Sequence, residues 1–551
     1  MRGLLLDAGS VLAISLVTAM LSQRWTALLL DSMFYATESL FGHDVTDRAV
    51  IPSYYSTRLG YIAPVRLYTS VLGTWPGFEA WRITLIIATT AGLFTICRRF
   101  TTRINAIVVT WPLILSSVVL AYLANTYITG TVMALTAIVL ASALHNGWRP
   151  HLIAGVALGW LAMTHPVGLL MAGSVWVAIR IHEGIEWRRS LAAVGAALAT
   201  FLVFLGVGRL IFPTIGWFET YAKWNAQMNY ADFASKDLVW LRDISLLVIV
   251  MILLVVVGAW LLHRSERWSQ LALITILTSM GFMLVFSPLM GGVALEAPMY
   301  QAMLWPPALA ALAMVAAGRL GELRLPAAAL VIAAAAIVVV VLAGHWTGTM
   351  PLPAGVLVAL ISAIAVVALL AWVRHKQAAQ VAIVVVVMLA LVMVSAQVLQ
   401  NARRTLGLYP HTPYSNAFVP NPTSAKMHEA VNAQQWLLAH TTNQDQILNW
   451  VGGDWVGGDR ELFMVAAMQL WGENRVTLEP RITPDDAARL ADLRPSVVQM
   501  VGPTMDSVIA FWSSLPGATH PTPPECYDFP WPGPAITAGH QCLTHLTWPA
   551  T

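Results

Sequence analysis

Residues 241–262 read LRDISLLVIVMILLVVVGAWLL, and Arg264, Glu266 and Arg267 follow directly. From Ile244 to Leu262 no side chain carries a charge. A stretch of about 20 apolar residues, coiled as a helix, crosses a hydrocarbon core of about 30 Å. Lipid offers the backbone no hydrogen bonds, so the stretch must satisfy its own and is read as a transmembrane helix. The rest of the chain repeats the pattern. Of its 551 residues 58% are hydrophobic and 11% charged, where a soluble domain carries about 25% charged. Apolar blocks divided by polar breaks give thirteen expected spans: 3–22, 76–97, 104–121, 127–144, 151–164, 167–181, 190–211, 241–262, 269–288, 302–318, 325–344, 354–373 and 379–399. The fifth and sixth are separated at Thr164-His165-Pro166, because proline cannot continue the preceding helix. Leu4 to Leu21 follows Arg2 as a signal peptide would, but it lacks a small-residue cleavage site and is read as an uncleaved first helix.

The loops divide by charge. One set carries Arg98, Arg99 and Arg103, then Arg149, Arg180, Arg188 and Arg189, then Arg264 and Arg267, Arg319 and Arg324, and Arg374 with Lys376. The short loops of the other set, around 122–126, 165, 289–300 and 345–353, have no Lys or Arg. The positive-inside rule places the first set in the cytoplasm. The N-terminus is then cytoplasmic, and an odd number of spans leaves the C-terminus outside. The net charge of +3 is small and dispersed and points to no nucleic-acid partner. High Ala and Val content and the style of the loops suggest a bacterial inner membrane.

The expected fold is therefore a polytopic α-helical membrane domain, residues 1–400, followed by a small extracytoplasmic α/β domain, residues 401–551. Two outer loops are long, 23–75 and 212–240, and loops of such length are uncommon unless functional. Tyr61 to Leu72 is too short to cross and is expected to lie on the membrane surface, with Arg58 and Arg66 at headgroup level. In the tail, strand-like Ile447–Val451, Arg475–Leu478 and Ser496–Val501 alternate with helix-like segments, the pattern of a small α/β layer. The run Gly452-Gly453-Asp454-Trp455-Val456-Gly457-Gly458 fits no phosphate-binding fingerprint and reads as a turn. Of the three cysteines, Cys97 should stay reduced, whereas Cys526 and Cys542 in an oxidising compartment should pair.

Acidic residues gather just after the first span: Asp31, Glu38 and Asp44, with Tyr35 among them. Asp31 follows Leu28-Leu29-Leu30 and should sit at the membrane surface, where desolvation raises a carboxyl pKa. That suits a general base for a hydroxyl; the same position also suits a helix-capping Asp. Glu219, Asp232 and Asp237 lie in the second long loop, without the spacing of a metal site. Glu296, with Tyr300 and Gln301, lies at the outer mouth of the ninth and tenth spans and calls for a partner or a wet cavity.

The segments Asp31-Ser-Met-Phe-Tyr35, Tyr55-Ser-Thr-Arg58-Leu-Gly60 and Pro64-Val-Arg-Leu-Tyr-Thr-Ser-Val-Leu-Gly73 resemble the first outer loop of the GT-C membrane glycosyltransferases. That superfamily includes the protein O-mannosyltransferase and aminoarabinose-transferase relatives, which use polyprenyl-phosphate-linked sugars. The resemblance extends to the number of spans, the side of the long loops and an extracytoplasmic C-terminal domain. It implies that Asp31 is the general base and that transfer inverts the anomeric centre. Position 32 is Ser where the family carries a second acid, which keeps Glu38 and Asp44 as substitutes. The leaving lipid phosphate then needs a cationic site, for which Arg58 is the first choice and His165 the second. Tyr35, Glu38, Asp44, Glu219, Glu296 and Tyr300 are the expected substrate contacts. No cofactor is demanded, and a divalent ion would be compatible.

The expected function is thus transfer of a sugar from a polyprenyl-phosphate donor to an envelope glycan, glycolipid or protein. The competing class is a transporter or flippase of an envelope precursor, which would favour internal repeats and polar groups at mid-membrane. The repeat is missing, and the acids collect at one surface. A third class, a scaffold presenting the tail to a partner, gives Asp31 no task. The orientation has a direct test. Alkaline phosphatase, active only outside the cytoplasm, should be active when fused after residue 400 and inactive when fused in the 263–267 loop; the opposite pattern would invert the reading.

Overall fold

The computed structural model describes residues 2–21, 35–36, 38–40, 55–114, 117–124, 128–213, 215–227, 244–289, 302–322, 436, 439–442, 445–451, 475–479, 496–502, 525–529 and 539–545. The helices are α1 (Arg2–Leu21), α2 (Leu59–Leu72), α3 (Thr74–Phe100), α4 (Arg103–Ile114), α5 (Ser117–Ala124), α6 (Thr129–Ala143) and α7 (Trp148–Thr164). They continue with α8 (Pro166–Glu183), α9 (Trp187–Ile211), α10 (Trp217–Gln227), α11 (Ile244–Leu262), α12 (Arg267–Leu289) and α13 (Trp305–Glu322). Each of the first ten expected spans coincides with a helix, the third with the α4–α5 pair. The last three, from residue 325 to 399, lie outside the described residues. Among the described residues, Pro76–Phe100, Trp187–Ile211 and Arg267–Ser287 are each long and apolar enough to cross a membrane unaided.

The bundle has an inside and an outside. In α6 every residue but Ile138 is buried, so α6 is its centre. The apolar window of α9 is only 11% buried, against 61% for that of α3. Exposed Leu191, Val194, Leu198, Leu202 and Val203 make α9 a peripheral helix with an apolar outer face, as a lipid-facing helix requires.

Between helices that share an apolar solvent, burial supplies little drive, and close backbone approach matters more. α7 carries Gly155 and Gly159 four residues apart, and both face α9. A Cβ at Gly155 would lie 2.2 Å from the Ala193 carbonyl oxygen, and one at Gly159 2.2 Å from that of Ala197. Gly92 of α3 meets the Ala137 backbone of α6 in the same way. At one end of the bundle, Asp7 of α1 accepts from Arg98 Nε (3.3 Å) and Arg103 Nε (2.5 Å). Arg267 of α12 pairs with Glu183 of α8.

Strands β1 (Gln446–Val451), β2 (Arg475–Glu479), β3 (Val497–Gly502), β4 (Glu525–Phe529) and β5 (Gly539–His545) form one mixed sheet in the order β2-β1-β3-β5-β4. The first three are parallel; β5 and β4 close the sheet antiparallel. Asp445 joins the starts of β1 and β3, accepting from Thr442 N (2.6 Å) and Ser496 Oγ (3.0 Å). Cys526 and Cys542 stand opposite each other on β4 and β5 and form the expected disulfide.

The glycine contacts give a stability prediction. Gly155→Ala and Gly159→Ala should each cost about 1–3 kcal/mol through overpacking, read as a lower thermal unfolding midpoint in detergent. Gly195→Ala on α9, with nothing within 4 Å of the added methyl, should not lower it.

Candidate functional site

The segment Tyr55-Ser56-Thr57-Arg58 is a turn of 3-10 helix followed by the N-cap of α2, and all four residues are buried. Its backbone closes on itself, Arg58 N–H donating to Tyr55 O at 3.0 Å and Tyr61 N–H to Arg58 O at 2.9 Å. Two indoles pin it to the bundle. Trp160 Nε1 of α7 donates to Gly60 O at 2.6 Å, and Trp217 Nε1 of α10 donates to Thr57 O at 2.7 Å. Gly60 is obligatory here, because a Cβ would stand 2.2 Å from Thr164 Oγ1 and 2.8 Å from Trp160 O.

Thr164 is the last residue of α7, and His165 is the cap between α7 and α8, with Pro166 as the first residue of α8. The close approach at Gly60 therefore brings Arg58 beside His165. Both are buried, Arg58 at 3% exposure and His165 at 5%. Burial, and secondarily the Arg58 charge, push the His165 imidazole well below its ordinary pKa. At neutral pH His165 is thus a hydrogen-bonding group rather than a cation. Arg58 also lies over the Tyr221 ring, 5.6 Å from its centroid. Tyr221 stacks on Trp217 at 5.5 Å, and Trp217 meets Phe201 of α9 edge-on.

Residues 35–36 and 38–40 are helical and cover the other side of this segment. Tyr35 makes edge contacts with Tyr55 (5.1 Å) and Tyr61 (6.0 Å). Glu38 is fully buried. Ser56 Oγ donates to its Oε1 at 3.0 Å, while Oε2 has no hydrogen-bond partner among the described residues. Burial pushes the Glu38 carboxyl up to about 8, and the Ser56 bond only partly opposes this. Beside Ser56 a cleft of about 160 Å³ opens, walled by Leu59, Leu205, Phe212, Ile215 and Phe218, with Arg209 also lining it.

Of the residues singled out in the sequence, Arg58, His165, Tyr35 and Glu38 thus come together around one segment. Arg58 departs from the surface position expected for it: it is tucked beneath α10, and Arg66 turns back to donate to Leu40 O at 3.0 Å. Glu219 lies exposed in the first turn of α10. Asp31, Asp44, Glu296 and Tyr300 lie outside the described residues. Ser56 and the platform role of Trp217 and Tyr221 were missed. Trp217, Phe218, Tyr221 and Trp224 do recur at helical spacing, a signal the reading of 212–240 as a loop passed over.

No protein-family model matches the sequence, and no curated protein matches it. Among solved structures, ArnT from Cupriavidus metallidurans bound to undecaprenyl phosphate aligns over 98% of this chain and 98% of its own, with a TM-score of 0.53 and 13% identity. The chain shares the fold of ArnT. The apo form of the same ArnT covers 98% of this chain and 97% of its own at 14% identity, with a TM-score of 0.46. The resemblance to aminoarabinose-transferase enzymes seen in the first outer loop is therefore met at the level of the fold, which is that of a membrane protein.

Glu38 gives a pH prediction. Its folded value, about 8, lies above the ordinary 4.5. The fold therefore has this group's stabilisation in full below about pH 4.5 and loses it as pH rises toward 8. Thermal unfolding in detergent should show a midpoint falling between about pH 5 and 8, and Glu38→Gln should remove that part of the fall.

Proposed function

We propose that the chain is a GT-C-type glycosyltransferase that takes a sugar from a polyprenyl-phosphate-linked donor and places it, with inversion, on an extracytoplasmic envelope acceptor. The acceptor is a glycan, a glycolipid or a protein. The single observation that carries this reading is a buried guanidinium, Arg58, set beside His165 and close to an apolar cleft. A phosphate esterified to an isoprenoid chain, as a diester in the donor and a monoester in the product, has the matching halves, one charged and one apolar. Arg binds phosphate oxygens in a bidentate fork, and a neutral imidazole can add a hydrogen bond. ArnT, the solved structure with the same fold, holds undecaprenyl phosphate.

In this reading Asp31 removes the acceptor's hydroxyl proton as the acceptor oxygen bonds to the anomeric carbon. The bond from that carbon to the lipid phosphate breaks, and its electron pair leaves with the phosphate. Arg58 stabilises the charge that develops there. This step demands no cofactor, and a divalent ion would be compatible with it. The donor approaches from the outer leaflet of a bacterial inner membrane, and the α/β domain of residues 401–551 helps to hold the acceptor. Glu219, Asp44, Glu296 and Tyr300 complete the acceptor side.

The roles of Asp31 and Arg58 separate in one experiment. Asp31→Asn should lower turnover roughly 10²- to 10⁴-fold while leaving undecaprenyl phosphate binding intact. Arg58→Ala should weaken that binding by about 10- to 100-fold, the worth of a charged hydrogen bond. Envelope lipids of a deletion strain should lack one sugar modification. Unchanged turnover in Asp31→Asn, with an unaltered envelope in the deletion strain, would sink the enzyme reading.

A further inference from the structure

Ser56 stands between a buried acid and an apolar cleft. Its hydroxyl donates to Glu38 Oε1 at 3.0 Å, and the same residue lines the cleft beside Leu59. Glu38 is fully buried, and its second oxygen has no hydrogen-bond partner among the described residues. A carboxylate in that position would be charged and half satisfied, an arrangement costing several kcal/mol. A purely structural role would be filled at lower cost by Gln or by an apolar residue. Ser56 also lies two residues before Arg58, in the same tight turn.

We propose that Ser56 donates a hydrogen bond to the lipid phosphate beside Arg58, and that Glu38 is the positioning residue behind it. This rests on the polyprenyl-phosphate reading above and adds a second contact to that site. The direction of the Ser56–Glu38 bond is what Glu38 controls. As a carboxylate it accepts the Ser56 proton, and Ser56 then turns only its lone pairs toward the cleft, next to an added negative charge. As a carboxylic acid it can donate to Ser56 Oγ and release the Ser56 proton to a phosphate oxygen. Burial favours the acid form at neutral pH, the group titrating near 8.

Among the described residues, the titratable and charged groups on the elements around Glu38 are Tyr35, Tyr55 and Arg58, then Tyr61, Arg66 and Tyr68 of α2, and His165 at the head of α8. Burial and the Tyr35 neighbour push the Tyr61 phenol well up, and burial and Arg58 push His165 well down. Both keep one form between about pH 7 and 9, the window in which Glu38 changes.

The test is binding of undecaprenyl phosphate to the full-length chain in lipid nanodiscs at pH 7 and pH 9. The neutral fraction of a group titrating near 8 falls from about 0.9 to about 0.1, so the wild-type apparent Kd should rise about tenfold. Glu38→Gln carries an amide that can donate to Ser56 at either pH, so its pH 9 to pH 7 ratio should stay near one. Ser56→Ala should bind about tenfold more weakly than wild type at pH 7. The lipid's own titration is common to all three proteins and cancels in the comparison. A Glu38→Gln protein whose affinity falls with pH as the wild type does, or a Ser56→Ala protein that binds as the wild type does, would overturn the assignment while leaving the donor reading standing. Failure of the wild type to bind at either pH would take down both.

Discussion

Two indole N–H bonds hold residues 55–60 against the helical bundle. Without the bond from Trp160 to Gly60 O and that from Trp217 to Thr57 O, residues 55–60 would be a polar turn free to dissolve into the headgroup region. With them the turn is fastened between α7 and α10, and Arg58 is carried out of water. Taking a guanidinium out of water costs free energy that its surroundings must offset. Part of the offset is the Tyr221 face, which attracts a cation through its quadrupole. The arrangement depends on residues from four separate stretches of chain, so the site exists only once the bundle has assembled.

Assembly in turn rests on small residues. Gly155 and Gly159 let α9 approach α7 to backbone contact, and Gly208, farther along α9, meets the Leu59 side chain of α2. The same helix then leads into α10, whose Trp217 reaches back to Thr57. One line of contacts thus runs from the α7–α9 seam to the functional turn. α9 combines this seam with a broad exposed apolar face, so the lipid-facing helix and the helix that anchors the site are the same element. The cleft beside Ser56 opens at its end, lined by Leu205, Gly208 and Phe212. The apolar outer face of α9 thus runs down to a cleft that also carries Arg209 and Ser56.

Much of this was legible in the sequence, for a physical reason. Transmembrane helices announce themselves by hydrophobic length, which is local, and so the first ten spans coincide with helices. The strands β1 to β3 were likewise visible as short strand-like runs, whereas β4 and β5 hid in a stretch rich in Pro and Thr. Cys526 and Cys542 were paired correctly because composition and compartment suffice for that inference. Arg58 was named but misplaced: its burial comes from Trp217 and Tyr221, more than 150 residues away in sequence, and no local pattern reports such a partner. Ser56 went unremarked for the same reason, since its meaning lies in Glu38 across the turn. Asp31, named from its position after three leucines and from family likeness, is a reading of the chain alone.

Burial acts on Glu38 and His165, two titratable groups beside Arg58's turn, in opposite directions and with one result. It raises the acid, Glu38, and lowers the base, His165, so both favour their uncharged forms near neutral pH. An environment that pushes an acid and a base apart in this way divides labour between them. Among the described residues of this turn the guanidinium of Arg58 is the charged group, and Glu38 and His165 meet it in forms able to hydrogen-bond without a charge of their own.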